Sequence, residues 1–179
     1  MGPSFLRDSF WREVKMEIRD AFEADLKRIT EIYNEVLTTS TAIFNDRPAT
    51  VEERIAWWKG RVQQGDPVLV AVDEDNVTGF ATFGDFRSWP GYRFTVEGTI
   101  HIDSSARRQG VGKALLTALI ERAQSSGKHV MIAGVDATNE ASLQFLDRFG
   151  FERVGHLHEV GYKFDRFLDL IFLEYRLTR

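Results

Sequence analysis

Arg107-Arg108-Gln109-Gly110-Val111-Gly112 is the stretch of this chain whose residue types and spacing speak most directly of chemistry. It lies between a strand-like run over residues 94–102 and a helix-like run over residues 111–126. The first amides of a helix have no intrahelical partners, and the helix dipole places positive potential at the same end, so such a loop can seat a phosphate. Two arginines beside it can neutralise a pyrophosphate, and Lys113 adds a third cation. Glycine at 110 and 112 permits unusual backbone angles and close approach. The Arg-x-x-Gly-x-Gly spacing is neither the dinucleotide fingerprint nor the nucleoside-triphosphate loop. Taken alone, it also fits an ordinary tight strand-to-helix turn.

Glu97 is a carboxylate in an otherwise apolar strand. Partial burial would raise its pKa and suit it to accept a proton. An exposed strand residue, or an ion-pair partner for Arg93, fits the bare pattern equally well. Arg87 and Arg93 flank a loop holding Ser88, Trp89, Pro90 and Tyr92. Arginine can grip a carboxylate through two parallel hydrogen bonds, although most arginines are solvated surface residues. His156 and His158 alternate on a strand-like segment and share a face. Two histidines could begin a metal site, but no carboxylate-rich cluster accompanies them in sequence, so they read as a solvated strand face and no metal is expected.

Composition narrows the classes. The chain has 179 residues, enough for one domain with a sizeable core. A formal net charge of −4 disfavours a nucleic-acid partner. The absence of cysteine excludes disulfides, thiolate metal sites and a cysteine nucleophile, and fits a reducing cytoplasm. No apolar run approaches bilayer length, and residues 1–15 lack the apolar segment of a signal peptide, so no membrane association is expected. Residues 1–15 read as an extension ahead of a domain over residues 16–179, with Met16 suited to be a natural start.

The elements that must position these groups follow from periodicity. A short strand at 17–19 precedes a helix over 24–37, with Leu26, Ile29, Tyr33 and Val36 at helical spacing. Thr50-Val51-Glu52-Glu53 reads as a capping box opening a second helix that Gly65 stops. Strands at 68–72 and 79–86, joined by an acidic turn, form a hairpin, and 94–102 is a third long strand. The helix after the glycine loop carries Val111, Ala114, Leu115, Ala118 and Leu119 as one stripe. A strand at 130–135, a helix at 140–149 between Asn139 and Gly150, and strands at 151–157 and 167–177 complete the chain. The order β-α-α-β-β-β-α-β-α-β-β predicts a single α/β domain with a mixed sheet and helices on both faces.

That order, the glycine loop, and a second segment of Asn139-Glu140-Ala141-Ser142 followed by Arg148-Phe149-Gly150-Phe151 resemble the GNAT N-acetyltransferase family across residues 17–177. Within it the chain resembles the phosphinothricin and methionine sulfoximine acetyltransferase branch. The stretches that carry this are Ile32-Tyr33-Asn34, Thr41-Ala42-Ile43, Gly84-Asp85-Phe86-Arg87, Thr95-Val96-Glu97, Val160-Gly161-Tyr162-Lys163-Phe164 and Leu168-Asp169-Leu170.

The resemblance implies transfer of acetyl from acetyl-CoA to the α-amino group of a small amino acid by direct attack, with Glu97 as general base. Arg87, Ser88, Trp89, Tyr92, Arg93, Glu97, Gly98 and Thr99 would line the acceptor site. Ile100, His101 and Ile102 would offer backbone to the pantetheine arm. Arg107, Arg108, Gln109, Gly110, Val111, Gly112 and Lys113 would hold the pyrophosphate, with Asn139 contacting CoA further along. A backbone N–H of the Glu97 strand would stabilise the developing oxyanion. Many relatives place a Tyr or His where this chain has Leu146, which puts a general acid in doubt; Tyr162 is a weaker candidate. Relatives in this branch are homodimers, and Lys163 and Arg166 would add positive charge at the acceptor mouth. The competing readings are a different amine acceptor, such as a polyamine or a protein N-terminus, and a non-catalytic acyl-CoA-binding module.

Overall fold

A computed structural model of the chain describes residues 16–177; the expectation for residues 1–15 lies outside the described residues. Seven strands and four α-helices follow in the expected order. They are β1 (Glu17–Asp20), α1 (Leu26–Thr39), α2 (Val51–Gln64), β2 (Val68–Asp73), β3 (Asn76–Asp85), β4 (Thr95–Ile102), α3 (Val111–Ser125), β5 (Val130–Asp136), α4 (Glu140–Phe149), β6 (Glu152–Lys163) and β7 (Arg166–Arg176). The strands form one sheet in the order β1-β2-β3-β4-β5-β7-β6. Every neighbouring pair is antiparallel except β4 and β5.

The local signals act as physics requires. Thr50 caps α2 by accepting from Glu53 N–H at 3.2 Å, while the Glu53 carboxylate accepts from Thr50 N–H at 2.9 Å. Gly65 closes the helix in the left-handed region at φ 79°. α1 begins two residues later than its periodicity predicts, because Glu23–Asp25 forms a tight 3₁₀ turn first. Strand β3 starts three residues earlier than predicted, continuing the hairpin ladder to Asp73↔Asn76. Strand β6 runs to Lys163 instead of stopping near residue 157; a bulge between Leu157 and Gly161 lets it pair again with β7 after the histidines.

Two cores sandwich the sheet. On one face α1 and α2 cover Val68, Val70, Val72, Val77 and Phe80, with Trp57 and Trp58 packed at the edge. On the other, α3 and α4 cover Leu69, Ala71, Ala81, Phe83, Val96 and Met131. Alternation along β4 therefore sends Val96 to the α3 side and Glu97, Thr99 and His101 to the α1/α2 side.

The feature that positions a site is a parting of strands. β4 and β5 register only from Thr95↔Val130 to Glu97↔Ile132, although β4 continues to Ile102 and β5 to Asp136. Beyond Glu97 the two diverge, and the β4 backbone of Gly98–Ile102 has no β5 partner. Strand backbone that ends up unpaired must find another hydrogen-bonding partner. A wedge-shaped opening between two parallel strands at their carboxyl ends is where α/β sheets bind ligands.

Candidate active site

The glycine loop sits at the mouth of this wedge. Asp103, buried at the end of β4, accepts from Ser105 N–H at 2.8 Å and pairs with Arg28 of α1. Hydrogen bonds hold its carboxyl below the usual carboxylate range, the one donated by the Ser105 hydroxyl most of all. They fix the 3₁₀ turn Ser104–Ala106 that feeds the loop, and Gln109 Nε2 donates back to Ser105 O at 2.8 Å. Arg108 and Gly110 both take positive φ, 62° and 86°. No side chain caps α3. Its first helical bond is Ala114 N–H to Gly110 O at 3.0 Å, so the amides of Val111, Gly112 and Lys113 precede the ladder and are free to bind an anion. Gly112 leaves room at the helix start: a Cβ there would stand 2.9 Å from Ile102 Cδ1, so that side chain would have to shift. Arg107 and Arg108 are exposed beside these amides.

Glu97 lies where β4 and β5 part. The space above Gly134 of β5 is ringed by Glu97 Oε1, Leu170 Cδ1 and Phe172 Cε1, respectively 3.4, 3.5 and 3.6 Å from where a Cβ would stand. Residue 97 as a whole is exposed, whereas its carboxyl is hemmed in by these neighbours. Hydration of the carboxyl governs ionisation, so burial of that group pushes its pKa up, against the opposing charge of Arg87. Arg87 thus acts on Glu97 from the loop that follows β3, its guanidinium 5.0 Å from the Phe86 ring centroid. Phe86 packs in turn on Tyr92 and Phe172. These side chains bring Glu97, Arg87 and Tyr92 to one mouth.

Other expected site residues fall less neatly. Arg93 donates to Pro90 O at 3.0 Å and stacks on Phe94, so it does not pair with Glu97. Ser88 and Trp89 are exposed in the loop, and Gly98 and Thr99 continue β4. Ile100 and Ile102 pack towards α3, while His101 is buried between Tyr33 and Phe80. Only the backbone of Ile100, His101 and Ile102 is therefore available to a ligand in the wedge. Asn139 caps α4 by accepting from Ser142 N–H at 3.2 Å, and its amide NH₂ has no partner among the described residues. Leu146 is buried in the core and can donate no proton. Lys163 is not at the acceptor mouth as an extra cation. It is buried, and its Nζ donates to the carbonyls of Leu37, Ser40 and Ile43, clamping the segment after α1 onto β6.

Three positioning residues escaped sequence reasoning. Asp103 is one. Asp136 is another: buried at the end of β5, it accepts from Thr138 N–H and Oγ1, both at 3.0 Å, and shapes the turn that delivers Asn139. Its signal was the Asp-x-Thr pattern of a local side-chain turn. Arg54 is the third. It is buried on α2, 3.7 Å from the Trp57 ring and 4.5 Å from Tyr33, with Nε unpaired. Nothing in its helical spacing announced that.

A wedge between parallel strands, an uncapped helix with glycines and arginines at its start, and a carboxylate at the apex make a cleft that can seat a pyrophosphate and accept a proton beside it. A family model described as the Acetyltransferase (GNAT) family matches residues 26–151. The chain is 43% identical over 162 residues to the L-methionine sulfoximine/L-methionine sulfone acetyltransferase of Salmonella typhimurium, covering 90% of this chain and 95% of that protein. It is 34% identical to the phosphinothricin N-acetyltransferase of Streptomyces coelicolor, covering 89% and 95%. Among solved structures, yncA of Salmonella typhimurium with its cofactor acetyl-CoA superposes with a TM-score of 0.88 at 42% identity, covering 91% and 94%. The chain belongs to the GNAT acetyltransferase family, and it is an N-acetyltransferase that uses acetyl-CoA.

Proposed function

We propose that this enzyme acetylates the α-amino group of a small amino acid or analogue of the methionine sulfoximine and phosphinothricin type. The observation that carries this reading is the Glu97 carboxyl at the fork, hemmed in above Gly134 and within the field of the Arg87 charge. The names of the relatives in Salmonella and Streptomyces support the acceptor class.

In this reading the pyrophosphate rests on the amides of residues 111–113 beside Arg107 and Arg108, and the thioester runs along the unpaired edge of β4. Glu97, directly or through water, takes the proton from the acceptor ammonium. The freed amine attacks the thioester carbonyl and the C–N bond forms; the C–S bond then breaks, and the proton that the nitrogen sheds passes, directly or through water, to the departing thiolate to give CoA thiol. A β4 amide stabilises the oxyanion during attack. Arg87 holds the acceptor carboxylate, which keeps its nitrogen near Glu97. No protein thiol takes part, in keeping with a chain without cysteine.

A homodimer in the cytoplasm belongs to the same reading. Leu157, Val160, Tyr162, Phe164 and Phe167 are exposed on the β6–β7 hairpin, more apolar surface than a lone chain commonly leaves bare. Sedimentation should give twice the chain mass.

The test is thiol release from acetyl-CoA with a panel of amines. Methionine sulfoximine, methionine sulfone and phosphinothricin should each elicit release, and a polyamine or an alanyl peptide should not. Faster release with the polyamine or peptide would overturn the acceptor, and silence with every amine would favour a binding module.

A further inference from the structure

The β6–β7 hairpin carries a second cluster that shares no residue with the acetyl-transfer site. Residues 158–160 form the bulge that sets β6 out of register between Leu157 and Gly161, and Glu159 takes φ 54°. The distortion swings His156 and His158 together, ring centroids 4.1 Å apart, closer than residues two apart on a regular strand bring their rings. Both imidazoles meet Asp169 of β7. His156 Nε2 lies 2.7 Å and His158 Nδ1 3.1 Å from the same oxygen, Asp169 Oδ2. The other oxygen, Oδ1, accepts from Glu159 N–H at 2.8 Å. The sequence offered two histidines without a carboxylate; the hairpin supplies it from thirteen residues away.

We infer that His156, His158 and Asp169 form a binding site for a divalent late-transition-metal ion of the zinc class. One ligand atom from each residue lies within 4.8 Å of the other two. Tetrahedral zinc with bonds near 2.0 Å requires ligand atoms about 3.3 Å apart. The N···O separations of 2.7 and 3.1 Å need to open by roughly half an ångström or less, within reach of side chains that are partly or fully exposed. Two imidazoles and one carboxylate oxygen suit zinc, cobalt or nickel; magnesium and calcium prefer all-oxygen sets. The backbone bond to Oδ1 fixes the carboxylate as an outer partner does in established zinc sites. Exposure leaves the fourth position to water or to a neighbouring group. An ion here would staple β6 to β7 and stiffen the hairpin.

The experiment uses the full chain, free of any affinity tag and stripped with a chelator. Titration with Co²⁺ should give one equivalent per chain and the intense visible bands of tetrahedral cobalt, displaced by Zn²⁺. Saturating Zn²⁺ should raise Tm by about 5 °C. His158→Ala removes a 73%-exposed side chain whose only hydrogen-bond partner among the described residues is Asp169, so the fold survives it. Affinity should fall at least tenfold in that variant and in His156→Ala. Absence of saturable binding to wild type, or equal binding in both variants, overturns the site.

Discussion

Glu97 Oε1 lies 3.4 Å from the point where Gly134 would carry a Cβ, across the fork at which β4 and β5 stop pairing. The strands register at Glu97↔Ile132, and Gly134 follows two residues later on the same face. The carboxylate therefore stands at the apex of the fork, and the missing side chain keeps the space beside it open.

That placement makes Glu97→Gln the sharpest test of the base. kcat should fall roughly 10²- to 10⁴-fold, while acetyl-CoA binding measured by calorimetry stays unchanged. The sign of the stability change is also fixed. Burial raises the folded-state pKa, so stability declines as pH rises from the unfolded-state value and the loss is complete above the folded-state value; the glutamine variant should be at least as stable as wild type at pH 7. Retention of wild-type kcat would remove Glu97 from the mechanism.

Gly112→Ala probes the anion seat. The added Cβ meets Ile102 Cδ1 at 2.9 Å and Phe145 Cζ at 3.6 Å. The first contact is the far end of a flexible side chain, so the fold should adjust. The amide of residue 112 must shift as it does, and KM for acetyl-CoA should rise about tenfold with KM for the acceptor little changed. Steady-state kinetics with each substrate varied separates the two.

The order of elements and the glycine loop were legible because both are local. Capping boxes, helical stripes and a left-handed glycine need only a few consecutive residues to declare themselves, as Thr50, Gly65 and Gly110 do. The fork was not legible, since it depends on where two strands cease to register, which is a property of the whole sheet. Asp103, Lys163 and Asp169 share that reason. Each is an ordinary polar residue in its own segment and finds its partners on others: Arg28, the carbonyls of residues 37–43, and the bulge of β6. The role expected of Lys163 failed because sequence proximity to a mouth says nothing about direction.

His101 predicts an acid-labile fold. Burial, assisted by the nearby charge of Arg54, lowers its pKa to about 4, against about 6.5 in the unfolded chain. The neutral form favours folding, so this contribution is complete above pH 6.5 and declines as pH falls towards 4. Over that window the loss approaches roughly 3 kcal/mol. Urea unfolding at intervals from pH 7 to pH 4 should show the decline, and His101→Phe should flatten it. Equal slopes in both proteins would assign the acid sensitivity elsewhere.

Arg54 sets desolvation against aromatic attraction. Burial is the larger influence and lowers its pKa to about 10, which still leaves it charged at pH 7. It has no anionic partner among the described residues, and its buried Nε makes no hydrogen bond. The rings of Trp57, Tyr33 and Phe80 return part of that loss, about 0.5–2 kcal/mol for each well-placed ring. Removing an unpaired buried charge while keeping its volume is commonly neutral or stabilising. Arg54→Met should therefore leave Tm unchanged or raise it, unlike the drop expected when an ordinary large core side chain is lost. Thermal unfolding decides: a fall of more than about 5 °C would mean that the aromatic stack outweighs the desolvation and that the arginine is held for stability.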